Sequence, residues 1–369
     1  MRIAIIGTRG IPANHGGFET FAQEISYEWS EQGHEVIVVG DESNNINHKK
    51  YLKTHTINSK YSKPNNPLLF YYESYKLASS WGAEIIVCCG VGGTIFSRLF
   101  QSRHRIIFNN PDGLGFLRDK YSLLKKIIFK SQYLLSAITE KFLICDSEGI
   151  KKYYEQKLFK NKGLFVAEYG TVENQYLNLD KKDFSSYFPS LNQGEYYLVV
   201  SRLEPENNLI NIINGYNRSK SKKPLIIVGN LNTKHSKKLI LLKNINILFV
   251  GGIYNKEKLQ ILRANAFAYL HGHSVGGTNP SLLEAMGSRN LCICHKNIFN
   301  EAVVRDNGFY FENPVQLSEV INKLERDNPE EINNLKEKTL KIAKTEYSWA
   351  IIANKYLNIF NTVKNDLSS

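Results

Sequence analysis

Long apolar runs are missing from this sequence: none approaches the roughly 18–20 residues needed to span a bilayer. The opening run Met1–Gly7 is too short for a signal peptide and leads straight into a glycine loop, so a cytoplasmic location is expected. Cysteine is scarce, with five in 369 residues. Cys88, Cys89 and Cys145 lie in apolar runs where a thiol serves as a small hydrophobe. Cys292 and Cys294 are separated by one residue with no second pair elsewhere, which argues against a zinc site and for alternate positions on a strand. There is no Asp-x-Asp triplet, no low-complexity tract and no short repeat. Helix-turn-helix, zinc-finger and basic-aromatic RNA motifs are also absent, so nucleic acid is not an expected partner. Acids are outnumbered 35 to 47 by Lys and Arg, leaving a net charge of +12. Such an excess suits anionic lipid or phosphorylated substrates and chooses between them only with other information.

What is present is a repeated β-then-α rhythm. Arg2–Gly7 reads as a buried strand, Phe18–Ser30 as a helix with apolar residues at helical spacing, and Glu35–Gly40, Glu84–Gly90, Arg105–Asn109 and Phe142–Asp146 as further strands. Asp180–Glu195 is polar, weakly periodic and holds Pro189 and Gly194; it reads as a linker. The rhythm restarts with strands at Tyr196–Val200, Pro224–Gly229, Ile245–Gly251, Ala266–His271 and Leu291–Cys294. Helices are predicted over Lys256–Asn265, Pro280–Ser288 and the tail from Ser348 to Val363. The expected domains are 1–180, 195–345 and a C-terminal helix over 346–369 that packs back on the first. This order implies parallel sheets covered on both faces, with a cleft between two α/β halves as the natural ligand site.

Three stretches carry candidate chemistry. Gly7–Glu19 (GTRGIPANHGGFE) joins the first strand to the first helix, and Gly16 and Gly17 at the helix start would let an anion approach backbone N–H groups. A tight turn needing glycine for geometry alone is the equal alternative, and Asp41 after the second strand keeps an NAD-dependent oxidoreductase or epimerase open, although the G-x-G-x-x-G pattern is not met. Ser201–Asn208 (SRLEPENN) places Arg202 at a strand end, where a guanidinium could grip a diphosphate or simply pair with Glu204 or Glu206. His271–Met286 (HGHSVGGTNPSLLEAM) is a strand end, a glycine loop and a helix opened by Pro280. There Gly276, Gly277 and Thr278 offer amides, and Glu284 is placed to accept ribose hydroxyls or only to favour the helix dipole. His271 and His273 share a face, without a third ligand for a metal.

With these stretches, NNPDG (109–113), CDSEGIKKYY (145–154) and GGIYNKEKL (251–259) in order, the chain resembles the GT-B fold, retaining glycosyltransferases of family 4, and most the bacterial rhamnosyltransferase-like subgroup of polysaccharide and O-antigen assembly. The resemblance implies two Rossmann-like domains facing each other across a cleft and a metal-independent hexosyltransferase with no cofactor. It assigns Gly16, Gly17, Arg202, Asn207, Gly277, Thr278, Asn279 and Glu284 to the donor, and Asp112 and His273 to catalysis. The implied donor is a nucleotide sugar, dTDP-L-rhamnose first and a UDP- or GDP-sugar otherwise, and the implied acceptor a lipid-linked or growing oligosaccharide. Departures are plain: Gly276 stands where the wider family has a sugar-facing Glu, Asn207 where a Lys is usual, and Gly115 and Phe116 where the subgroup has an acidic-aromatic pair.

Between Gln101 and Lys141 eight Lys or Arg residues face three acids, and Leu117–Lys141 mixes lysines with Leu, Ile and Phe. That segment is either an amphipathic surface for anionic lipid, making the protein peripheral at the inner membrane face, or an ordinary domain helix with solvated lysines.

Overall fold

A computed structural model describes residues 1–13, 16–41, 54–157 and 163–368. The chain divides into two compact units, one of Met1–Leu117, Ser122–Gly170 and Trp349–Ser369, the other of Arg118–Tyr121 and Thr171–Ser348.

In the first unit the chain runs β1 (Arg2–Ile6), α1 (Gly17–Glu31), β2 (Glu35–Gly40), β3 (His55–Asn58), α2 (Pro67–Ser80), β4 (Ile85–Cys89), α3 (Thr94–Phe100), β5 (Ile106–Asn110), α4 (Leu123–Thr139), β6 (Phe142–Cys145), α5 (Glu148–Lys157) and β7 (Gly163–Val166). The strands form one parallel sheet in the order β3-β2-β1-β4-β5-β6-β7. The central strands β1 and β4 are apolar and buried past Arg2 because helices cover both faces. β3 (HTIN) and β7 (GLFV) escape sequence reading because they are edge strands of four residues without one fully buried residue, too short to stand out. The order reverses beside β1, which opens a crevice at the carboxyl ends of β1 and β4. Gly7 turns the chain there with φ +82°, and a Cβ on it would sit 2.4 Å from the Cys89 carbonyl oxygen. Only glycine fits.

The second unit runs α6 (Lys181–Tyr187), β8 (Tyr197–Val200), α7 (Leu209–Arg218), β9 (Leu225–Val228), α8 (Lys234–Ile240), β10 (Ile247–Gly251), α9 (Lys256–Ala264), β11 (Ala268–His271), α10 (Pro280–Gly287), β12 (Leu291–His295), α11 (Ile298–Val304), β13 (Phe309–Phe311), α12 (Pro314–Leu324) and α13 (Pro329–Glu346). Its sheet is parallel in the order β10-β9-β8-β11-β12-β13, with the reversal beside β8. Tyr197, Ile212, Leu225, Ile227, Leu270 and Ile293 anchor its core. The stretch read as a linker is not an extended connection: the Asp180 carboxylate caps α6 by accepting the Asp183 N–H at 2.8 Å, and buried Phe184 stacks on Tyr196. With one buried apolar residue in seven, α6 carries too little periodicity to be seen.

The chain then re-enters the first unit as α14 (Trp349–Ser368). Its Trp349 indole lies against Gly170, where a Cβ would come within 2.4 Å of the ring. Phe360 packs 4.9 Å from Phe108 and 5.5 Å from Trp29, Tyr356 packs 5.3 Å from Phe21, and the Trp29 indole N–H donates to the Ala353 carbonyl at 3.2 Å. No helix among the described residues is long and apolar enough to cross a membrane.

Candidate functional site

In the second unit, polar groups gather at the carboxyl ends of β8 and β11. The Tyr269 and Ser281 hydroxyls both lie within hydrogen-bond reach of the Val200 carbonyl, at 3.0 and 2.8 Å, which ties the start of α10 to the end of β8. The Asn279 side chain caps α10 by accepting the Ser281 N–H at 3.0 Å, with Pro280 in the first turn. The SRLEPENN turn is laced to the next loop. Asn208, at φ 50°, donates from Nδ2 to the Gly272 carbonyl at 2.9 Å, and the Ser274 N–H and hydroxyl donate to the Glu206 carbonyl at 3.0 and 2.9 Å. Gly272 passes so close to Asn207 that a Cβ would fall 2.0 Å from its carbonyl oxygen. Two loops distant in sequence are thus one rigid surface.

On that surface the 273–277 segment and Asn279 line a shallow, half-open pocket with Asn297, Phe299 and Asn300. Asn297 and Asn300 fix the segment by donating to the His273 carbonyl at 2.9 and 3.0 Å. Gly276, at φ 136°, has open space where its side chain would be. Thr278 is buried and Gly277 half-buried.

Arg202 is exposed at the head of this surface. Residues 118–121 join it there: Lys120 Nζ lies 3.9 Å from the buried Glu206 carboxylate, and burial, with Arg202 next, lowers the Lys120 pKa. Arg118 and Arg202 both act electrostatically on His273. Three cations therefore meet at one rim. Arg118 and Lys120 escaped the sequence reading, which had set them in a basic amphipathic segment. The Asn207 side chain is buried and donates to the Arg202 carbonyl, so it shapes the turn that carries the arginine. Glu284 lies one turn into α10, its carboxylate 41% exposed and held at 2.5 Å by Nη2 of buried Arg263, a partner nothing in the motif announces.

The imidazoles stack, His271 on Tyr269 at 5.9 Å and His273 on His271 at 5.1 Å. Burial pushes the His271 pKa down to about 3, and burial, aided by His271, Arg202 and Arg118, holds His273 well below its ordinary range. Both rings are neutral at physiological pH. Because the unfolded chain takes up these protons below about 6.5 while the folded one refuses them, stability falls as pH drops. From His271 alone the expected loss between neutrality and pH 5 is about 2 kcal/mol. Urea unfolding followed by circular dichroism across that range checks it, and His271→Phe should flatten the dependence.

In the first unit carboxylates lie at the carboxyl ends of β5 and β6. Asp112 sits at φ 63° after β5, its N–H donating to Asn110 Oδ1 at 3.0 Å, while Asn110 Nδ2 donates to the Tyr356 hydroxyl at 3.1 Å. Asp146, at the end of β6, is buried; burial first and the Asp112 charge second raise its pKa well above the carboxylate range. Gly16, extended at φ 174°, and Gly17 begin α1, and Glu19 accepts the Arg9 N–H at 2.8 Å. Asn14 and His15 of the same motif lie outside the described residues. Asp41, the residue that kept an NAD enzyme open, is 3% exposed, accepts the Lys63 N–H at 2.6 Å and lies 3.8 Å from Arg9. Its carboxylate is thus already engaged by the Lys63 backbone and Arg9. Among the described residues no group of three or more His, Cys, Asp or Glu is placed to hold a metal.

Comparison with known proteins agrees with this architecture. Residues 181–342 match the family profile described as glycosyl transferases group 1. Among curated proteins no sequence matches the chain. Solved structures match it end to end. Sucrose-phosphate synthase from Thermosynechococcus elongatus is 15% identical with a TM-score of 0.81, covering 98% of both chains. Anabaena HepE in complex with UDP and glucose is 15% identical with a TM-score of 0.77, covering 98% of this chain and 100% of that one. A UDP-forming trehalose-phosphate synthase from Burkholderia xenovorans is 9% identical with a TM-score of 0.73, covering 97% and 100%. Residues 181–342 are a glycosyltransferase group 1 domain, the chain as a whole has the GT-B fold, and the protein is a glycosyltransferase.

Proposed function

We propose that the protein is a retaining glycosyltransferase that takes its sugar from a nucleoside-diphosphate donor, dTDP-L-rhamnose first among candidates, and passes it to a lipid-linked or growing polysaccharide acceptor at the inner membrane face. The observation that carries the donor assignment is the meeting of Arg118, Lys120 and Arg202 beside the glycine loop and the start of α10. The amides of half-buried Gly276 and Gly277, with surplus positive charge at a helix start, are what a diphosphate requires. As the bond from the sugar's anomeric carbon to the phosphate oxygen breaks, negative charge grows on the leaving diphosphate; fixed cations and amide dipoles are already in place to receive it. The leaving phosphate then takes the acceptor's proton. Lys120 fills the role left vacant by Asn207. Glu284, oriented by Arg263, accepts from the ribose hydroxyls. The neutral His273 and Thr278, with Asn279 at the helix cap, border the sugar, and the open space at Gly276 suits a donor that lacks a hydroxyl there. Gly16 and Gly17 are assigned to the diphosphate, and Asp112 to orienting the acceptor hydroxyl. HepE, which binds UDP and glucose, and a UDP-forming synthase among the fold's relatives support the donor class.

Thermal shift against dTDP, UDP, GDP and NAD tests this reading. A diphosphate nucleotide at about 100 times its Kd should add about 2.7 kcal/mol, and NAD should add nothing; stabilisation by NAD alone removes the proposal. Lys120→Ala is expected to weaken diphosphate binding by about 3- to 10-fold, less than a full charge-assisted contact because Glu206 already shares the lysine's charge, with Lys120→Arg retaining most of it. Isothermal titration with dTDP and UDP reads both variants.

A further inference from the structure

We infer that Glu206, with Lys120 opposite it, reads a hydroxyl of the transferred sugar, so that Glu206 helps set which sugars the enzyme accepts. The inference deepens the proposed nucleotide-sugar reading and rests on it for the identity of the ligand.

Glu206 is 3% exposed, yet neither of its carboxylate oxygens accepts a hydrogen bond among the described residues. Other buried acids are provided for: Glu19 accepts the Arg9 N–H at 2.8 Å and Asp41 the Lys63 N–H at 2.6 Å. Taking a carboxylate out of water without giving it donors is costly. The free protein therefore holds an acceptor that a ligand can satisfy. The nearest cation does not satisfy it, because Lys120 Nζ stands 3.9 Å away, beyond hydrogen-bond reach. Burial and then Arg202 oppose the charge on Lys120, and Glu206 supports it, so the pair is held by attraction across a gap.

The gap has the size of one oxygen. A hydroxyl about 2.8 Å from both groups would bridge it at roughly a right angle, accepting from the ammonium and donating to the carboxylate. A hydroxyl carries both functions, whereas a diphosphate oxygen only accepts and would be repelled by the acid. Lys120 keeps its remaining protons for the diphosphate.

The backbone beneath the carboxylate is fixed in advance. The Asn207 and Asn208 N–H groups donate to the Glu204 and Pro205 carbonyls, both at 3.1 Å, and the Glu206 carbonyl takes the Ser274 N–H and hydroxyl. Ser274 belongs to the loop that carries Gly276, beside which a side chain would meet open space. One rigid surface thus offers room at Gly276 and an unsatisfied acceptor at Glu206. A site built to bond a hydroxyl rejects the analogue that lacks it far more strongly than a merely shaped site does.

Titration calorimetry tests the inference with UDP and UDP-glucose, with dTDP and dTDP-L-rhamnose, and with the monodeoxy analogues of whichever sugar nucleotide the wild type binds more tightly. One deoxy analogue should bind the wild type about 10- to 100-fold more weakly than its parent, the range for a hydrogen bond to a charged group. Glu206→Gln should bind that analogue and the parent with little difference, while its affinity for the bare nucleotide diphosphate stays at the wild-type level or rises. Glu206→Asp, which keeps the charge but not the reach, should lose the same discrimination. Circular dichroism checks folding of both variants, and the deoxy series on the wild type needs neither. A wild type indifferent to every deoxy analogue overturns the inference, as it would if a water alone filled the gap. So does a Glu206→Gln variant that weakens nucleotide diphosphate and sugar nucleotide equally, which would make the acid a structural partner of Lys120 only. A wild type that binds neither UDP nor dTDP fails earlier, at the proposed function, and takes the inference with it.

Discussion

Arg202→Ala is expected to weaken dTDP or UDP binding by about 10- to 100-fold, the range for a charge-assisted contact to an anion, with no change in unfolding temperature. The guanidinium is exposed at the end of β8 and stabilises little in the free protein, whereas the turn beneath it is held by Asn207 and Asn208 and does not depend on it. Arg202→Lys should recover the charge but not the paired geometry, leaving an intermediate loss. Glu284→Ala should act on the nucleoside instead and leave Arg263 buried beside an empty place. That variant therefore loses stability as well as affinity, while Glu284→Gln keeps more of both. Titration calorimetry with thermal melts resolves the pattern, and wild-type affinity in both Arg202→Ala and Glu284→Ala would withdraw the donor site from the β8 and β11 ends.

The largest expected loss of stability belongs to the first unit. Phe360→Ala should destabilise the first unit by about 3–5 kcal/mol, the cost of emptying a buried aromatic site. Phe360 is fully buried and touches both α1, through Trp29, and the sheet, through Phe108. Measurement is unusually clean: all three tryptophans, Trp29, Trp81 and Trp349, belong to the first unit. Urea unfolding read by tryptophan emission should shift in Phe360→Ala, whereas tyrosine-weighted circular dichroism should retain the second unit's transition near its wild-type midpoint. Coincident shifts of both signals would mean that the two units unfold as one.

The central strands were legible because a strand buried on both faces must be written as an unbroken apolar run, and Ile3–Ile6, Ile85–Cys89 and Leu291–Cys294 are. The edge strands β3, β7 and β13 and the helix α6 were not, being short and only partly buried, although the edge strand β10 was. Within the candidate site, glycines and prolines advertise backbone geometry, so the loops at Gly272–Gly277 and the start of α10 could be placed from spacing alone. Long-range partners could not. Nothing near Glu284 points to Arg263, and nothing near Arg202 points to Lys120, because the partners are remote in sequence and Lys120 comes from a short segment between β5 and α4 that groups with the second unit. The buried Asp146 was read only as part of a motif; its burial is a consequence of β6 and α5 meeting over it.

The re-entry of α14 into the first unit has a consequence for how the chain is made. A ribosome adding roughly 5–20 residues each second completes Gly170 and then spends some tens of seconds on Thr171–Ser348 before Trp349 appears. Through that interval Phe21, Trp29 and Phe108 lack the aromatic partners that cover them. The second unit, continuous but for four residues, can finish first, while the earlier-made half waits as a sticky intermediate for chaperones to shield.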